Sequence, residues 1–165
     1  MNALETQWIV GFTDGEGCFT LSRNQNLEAP RRYTPQCEFV ITQSKEDLAL
    51  LHALRTHFGC GTVQEGGEAS TVASFRIRSV AQLATVVLPF FDQHPLRSRK
   101  QQEYLTFRKV VLREHTRRLA HESPSVASLL AFAEDARTRN RRGRSPRHCR
   151  HLEEAKAFLL QLRRR

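Results

Sequence analysis

Near its start the chain runs an apolar helix directly into two carboxylates set between glycines, and no other segment narrows the possible folds as much. Leu4, Trp8, Ile9, Val10 and Phe12 predict a short, very apolar helix. Gly11 interrupts it and Asp14-Gly15-Glu16-Gly17 ends it, because glycine supplies the left-handed or closely packed backbone a helix terminus needs. The acids then stand at the negative end of the helix dipole, an unfavourable place unless a cation is bound. Carboxylate oxygens beside backbone carbonyls are the donors that Mg²⁺ and Ca²⁺ prefer. The same residues also form an ordinary Asp-Gly turn with solvated acids, and spacing alone does not separate the two readings.

Alternation follows. Phe19 and Leu21 fall on one face, with Cys18, Thr20, Ser22, Asn24 and Asn26 on the other, the period of a half-buried strand. After a turn region holding Pro30 and Pro35, Cys37, Phe39 and Ile41 alternate with Gln36, Glu38, Val40 and Thr42 in a second strand paired with the first. Ser44 opens a helix through Leu48, Leu51, Leu54 and Phe58, closed by Gly59-Cys60-Gly61. Strands over 62–65 and 72–78 are joined across Gly66-Gly67. Ser79 and Gln82 form a capping box for a helix that ends near Pro89. The order α-β-β-α-β-β-α, with strands in hairpin pairs, predicts an α+β domain: an antiparallel sheet backed by helices. A long arginine-studded helix follows over 98–120, and a shorter one restarts after Pro124. Residues 1–136 then form the main domain, and 137–165 a basic, irregular segment and an amphipathic tail packed on it or extending it.

Net charge directs attention to partners. The chain carries +9, and the excess is uneven: residues 1–82 hold 7 basic and 9 acidic residues, residues 83–165 hold 19 and 8. A polyanion is implied, nucleic acid first and an anionic membrane surface second. The most apolar run, 80–91, is too short to span a bilayer, and Glu5 precedes any Lys or Arg, unlike a secretory signal. Four cysteines without a C-x-x-C pair argue for reduced thiols in a cytosol-like compartment. His148-Cys149-Arg150-His151 lacks the spacing of a tetrahedral zinc site, and no histidines stand four apart as a ligand pair. The polar strand positions Thr20, Ser22, Asn24, Asn26, Gln36, Glu38, Thr42, Gln64, Arg76 and Arg78 share one side of one sheet. Such a donor and acceptor surface suits reading base edges in a major groove, although every antiparallel sheet with one solvated face shows the same alternation.

The segment Trp8-Ile9-Val10-Gly11-Phe12-Thr13-Asp14-Gly15-Glu16-Gly17 resembles the signature of the LAGLIDADG homing endonucleases. The likeness continues through Phe39 to Lys45, through His94 to Gln101, and through Asn140-Arg141-Arg142-Gly143-Arg144. It implies that Glu16 binds a catalytic divalent ion, Mg²⁺ with Mn²⁺ or Ca²⁺ as substitutes, beside the Gly15 carbonyl and Asp14. Gln43 would orient the water network, and Arg99, or Lys100 if the register slips by one, would face the scissile phosphate. Where the family often has another basic residue after Gln43, Asp47 stands here, and Lys45 would serve instead. Base and backbone contacts would come from the polar strand positions, with Arg31, Arg32, Tyr33, Val40, Thr62, Ser74, Asn140, Arg141 and Arg142. Trp8, Gly11 and Phe12 would form a homodimer seam, since one motif per chain implies two chains per site.

The resemblance thus implies a site-specific double-strand DNA endonuclease that cuts a long pseudo-palindrome, leaves 3′ overhangs and promotes intron or intein homing. Its partners would be duplex DNA and a second copy, with no membrane and no small-molecule substrate, in a bacterial cytoplasm or an organellar matrix or stroma. The alternatives are a non-cleaving relative, either an intron RNA maturase or a transcription regulator, and a basic RNA-binding protein without enzymatic activity. Against the last stands a first half that is near-neutral and rich in amides.

Overall fold

A computed structural model of the chain describes residues 3–23 and 35–140. The elements run α1 (Thr6–Glu16), β1 (Gly17–Arg23), β2 (Pro35–Ser44), a 3₁₀ turn (Lys45–Asp47), α2 (Leu48–Phe58), β3 (Thr62–Glu65), β4 (Val72–Ile77), α3 (Val80–Gln82), a π segment (Leu83–Val87), α4 (Leu88–Gln93), α5 (Lys100–Leu119) and α6 (Val126–Asn140). The α+β expectation holds. Four strands form one sheet in the order β1-β2-β4-β3. Antiparallel pairing sets Phe39 opposite Ile77, Ile41 opposite Phe75 and Gln43 opposite Ala73, with Thr62 opposite Arg76 and Gln64 opposite Ser74 on the far side of β4.

Three local expectations are corrected. Asp14, Gly15 and Glu16 lie inside α1 rather than beyond it, and Gly17 follows in an extended conformation with φ −72°. Helix passes into strand without a left-handed residue, and what demands glycine at 17 is space: a Cβ there would stand 2.6 Å from Thr13 Cγ2. Pro35 belongs to β2, at its first residue, where a strand tolerates proline. Pro89 ends no helix. Ahead of it the Leu88 amide reaches back five residues to the Leu83 carbonyl, and this wide turn accommodates a ring that would otherwise meet the preceding carbonyls.

The chain divides into two compact units, residues 1–20 with 37–112, and residues 21–36 with 113–165. The first holds an aromatic core. Phe19 of β1 stacks on Phe39 of β2 with centroids 5.2 Å apart, Phe58 of α2 stacks on Phe75 of β4 at 5.9 Å, and Phe91 of α4 meets Phe19 edge-on at 5.4 Å. Tyr104 of α5 packs tilted on Phe19 and donates its hydroxyl to Asp92 Oδ1 at 2.6 Å, which pins α5 to the end of α4. In the second unit α5 ends in a Schellman motif: Glu122 N donates to Arg117 O and His121 N to Arg118 O, with His121 left-handed at φ 53°. Ser125 caps α6, which buries Leu129, Phe132, Ala133 and Ala136 and continues through residues 137–140, expected to be irregular. Among the described residues no helix is long and apolar enough to cross a membrane.

Gly61 carries φ +86°, and a Cβ there would lie 2.7 Å from Arg76 O. Gly61→Ala is expected to cost about 2–3 kcal/mol in urea unfolding, whereas Gly67→Ala, which meets open space, should leave the midpoint nearly unchanged.

Candidate active site and nucleic-acid interface

The carboxyl end of α1 leaves carbonyls without helical partners, as every helix does. Lys100, the first residue of α5, supplies them with a cation. Its Nζ donates to Thr13 O at 2.9 Å, Gly15 O at 3.3 Å and Gly17 O at 2.6 Å. The cation that two acids at a helix C-terminus call for is therefore built into the chain. Burial pushes the Lys100 ammonium below its usual value, against the opposing pull of Cys18, Glu103, Asp14 and Glu16.

Asp14 returns the favour from α1 to α5. Its Oδ2 accepts from Arg97 N at 2.7 Å, and its Oδ1 accepts from Ser98 Oγ at 2.7 Å, with Ser98 N shared between both oxygens at 3.3 Å. Ser98 Oγ in turn accepts from Lys100 N at 3.0 Å. The two helices are thus clamped reciprocally. Asp14's oxygens are spent on this clamp, which corrects its expected role as a metal ligand. Burial raises the Asp14 pKa, but the bonds from Arg97 and Ser98 and the charge of Lys100 outweigh it and hold the carboxyl below its ordinary value.

Glu16 is different. Its side chain is exposed at the last helical position, and no described residue hydrogen-bonds its carboxylate. The Glu16 carboxylate is a hard oxygen donor, which fits Mg²⁺, Mn²⁺ or Ca²⁺, while the Gly15 carbonyl beside it, expected to share the ion, already accepts from Lys100 Nζ at 3.3 Å. One chain offers only part of a shell: among the described residues no three acids, histidines or cysteines cluster as a metal site.

The remaining predicted residues sort by position. Arg99 is exposed beside the clamp, and the ammonium at α1's end belongs to Lys100, the second choice of the sequence alignment. Gln43 is half-buried near the end of β2, opposite Ala73 and so on the core-facing side of the strand. Lys45 donates to Gly67 O at 3.3 Å, in the β3–β4 loop, rather than to α1. On the polar face Gln36, Thr42, Thr62 and Gln64 are exposed, and Ser22, Glu38, Val40 and Arg76 half-exposed. Thr20 and Ser74 are buried, at 8% and 6% exposure, and Thr20 Oγ1 lies 3.4 Å from Cys18 Sγ. Ser74 Oγ is the acceptor of Arg76 Nε at 2.8 Å. Asn24, Asn26, Arg31, Arg32, Tyr33, Arg141 and Arg142 lie outside the described residues, and of Asn140 only the helical backbone is described.

Sequence reasoning missed Ser98. The signal was present, a Ser-x-x-Gln pattern ahead of a helix, although Gln101 reaches past Ser98 to accept from Leu96 N at 3.1 Å. Along α1, Trp8 is 41% exposed and stacks on Phe12 at 4.7 Å, while Gly11 and Gly15, one turn apart, are exposed and face open space. A groove of about 550 Å³ lined by Leu4, Ala49, His52, Ala53 and His57 contains none of the predicted site residues.

Comparison with known proteins identifies the family. A family model described as LAGLIDADG endonuclease matches residues 9–111. The chain is 32% identical over 107 residues to a probable intron-encoded endonuclease, Cox1-I1b, of Schizosaccharomyces pombe, covering 65% of this chain and 27% of that one. It is 28% identical to a probable intron-encoded DNA endonuclease of Mycosarcoma maydis, covering 64% and 37%. It spans about a quarter of the length of the first of these curated relatives. Among solved structures, the homing endonuclease I-TnaI superposes with TM-score 0.78 at 30% identity, covering 94% of this chain and 98% of that one. The meganuclease I-SmaMI bound to uncleavable DNA gives 0.77 at 29%, covering 94% and 50%.

The Asp14 clamp makes stability depend on pH. A carboxyl held low when folded contributes stability above its unfolded pKa and loses it as pH falls through the folded value. Asp14→Asn should therefore cost about 1 kcal/mol at pH 7 and flatten the acid limb below about pH 4, read by thermal unfolding across a pH series.

Proposed function

The chain belongs to the LAGLIDADG endonuclease family, and from that premise we propose that it is a homing endonuclease: a site-specific, divalent-metal-dependent enzyme that cuts both strands of a long pseudo-palindromic DNA duplex and leaves 3′ overhangs. A break of this kind in an allele lacking the intron or intein promotes copying of that element. The compartment would be a bacterial cytoplasm or an organellar matrix or stroma. One observation carries the reading. A free carboxylate, Glu16, and a held ammonium, Lys100, are delivered to the same helix end by residues far apart in sequence.

Each group has a task set by phosphodiester chemistry. The Glu16 carboxylate would hold Mg²⁺, with Mn²⁺ or Ca²⁺ as substitutes. The ion, once bound, would supply an activated water and a counter-charge for the attacking and leaving oxygens. Lys100, fixed on three carbonyls, brings positive charge without reorganisation to the place where negative charge develops on the phosphoryl group. Arg97 and Arg99, exposed on the loop before α5, would draw the DNA backbone toward that point. Gln43 would orient water.

The partial metal shell and the open face of α1 support a homodimer. Gly11 and Gly15 leave that face flat enough for a second helix to approach closely, with the Trp8–Phe12 stack as its apolar flank. Two-fold symmetry would bring two Glu16 carboxylates together and impose a pseudo-palindromic target.

The deciding experiment is cleavage of duplex DNA spanning the insertion site, with Mg²⁺ or EDTA. Wild type should cut only with metal, and Glu16→Gln should bind the same duplex but lose cutting by about a thousandfold or more. A wild-type protein that binds without cutting under these conditions is instead a maturase or regulator. Gly11→Leu should shift the chain from dimer to monomer in sedimentation and abolish double-strand cutting.

A further inference from the structure

On the polar face of the sheet two arginines share one carboxylate, and they share it unequally. Glu38 Oε1 accepts from Arg76 Nη1 at 3.0 Å and from Arg78 Nε at 2.6 Å. Arg76 also donates through Nε to Ser74 Oγ. Its guanidinium is thereby tied between Ser74 and Glu38, and its side chain is only 29% exposed. Arg78 is held by Nε alone. Its side chain is 60% exposed, against 15% for Glu38, and both of its Nη nitrogens carry no bond to a described residue.

We propose that Arg78 is a base-reading residue that selects a guanine, and that Glu38 positions it. The inference rests on the DNA-cleaving reading above and adds which base the sheet selects. An arginine held at Nε offers the Nη1–Nη2 end of its fork, two parallel N–H donors. In the major groove only guanine answers with two adjacent acceptors, O6 and N7; adenine pairs its acceptor with a donor, and the pyrimidines present a single polar group. The charge-assisted bond from Nε fixes the rotation of the fork and removes one of its competing edges. Glu38 also decides between base and backbone. Arginine pairs equally well with phosphate, but a carboxylate lying between the two guanidiniums repels phosphate oxygens and leaves the group a net charge of only +1. What remains attractive is a neutral edge rich in acceptors. In a two-fold dimer each half-site would carry one such guanine.

Selection from a randomised duplex library by binding, with Ca²⁺ in place of Mg²⁺, tests this on the full chain. Wild type should enrich guanine at one position in each half-site. Arg78→Lys keeps the charge and removes the fork, so it should lose that preference by roughly 5- to 150-fold while the other positions stay unchanged. Glu38→Gln should weaken preference at the same position and tighten binding to unselected duplex. The proposal is overturned if Arg78→Lys retains every guanine preference and Arg78→Ala weakens all sequences alike, the behaviour of a phosphate contact. A wild-type consensus in which neither variant changes any position also ends it, with the endonuclease reading intact. A wild type that enriches no sequence ends both.

Discussion

A helix that ends in two acids creates a local electrostatic debt that something else in the structure must settle, and here the settlement joins the first and fifth helices. Lys100 places its ammonium on the terminal carbonyls of α1, and Asp14 of α1 fixes the loop from which α5 starts. Because the two contacts use opposite charges and point in opposite senses, neither helix can slide without breaking hydrogen bonds to a charged group, worth more than neutral ones. The arrangement leaves the exposed Glu16 carboxylate without a hydrogen bond among the described residues.

Gly17 extends that logic into the sheet. With no side chain at 17, α1 passes directly into β1, and the last helical residue stands at the root of the first strand. Glu16 and the polar positions of β1 are then near neighbours along the chain. Charge on the polar face is partly offset, as in the Glu38 bridge, where one carboxylate meets two guanidiniums, while Arg97 and Arg99 stand exposed in the loop before α5.

Much of this was legible in the amino-acid order, and the exceptions have physical causes. Strand and helix periodicity placed Phe19, Phe39, Phe75 and Leu54 in the core correctly, because burial is a property each residue carries with its spacing. The turn chemistry was harder. Pro89 reads locally as a stop, yet a π segment five residues long accommodates it. Asp14 and Glu16 look alike in sequence, and only the loop arriving from residues 97–98 makes one a structural clamp and leaves the other free. Lys45 and Lys100 were both candidate cations, and tertiary contact alone separates a lysine that bonds the β3–β4 loop from one that bonds the end of α1. Ser98 was overlooked although its capping pattern was visible, since attention to chemistry-bearing residues passes over a serine whose work is to hold others.

The stacked pair at the front of α1 has an optical consequence. Trp8 is the single tryptophan of the chain, it is exposed on α1, and it stacks on Phe12. The intrinsic ultraviolet emission of the whole protein therefore originates almost entirely at one surface position. Anything that covers this face displaces water from one indole and shifts the spectrum to shorter wavelength, so the molecule carries its own label-free gauge of association.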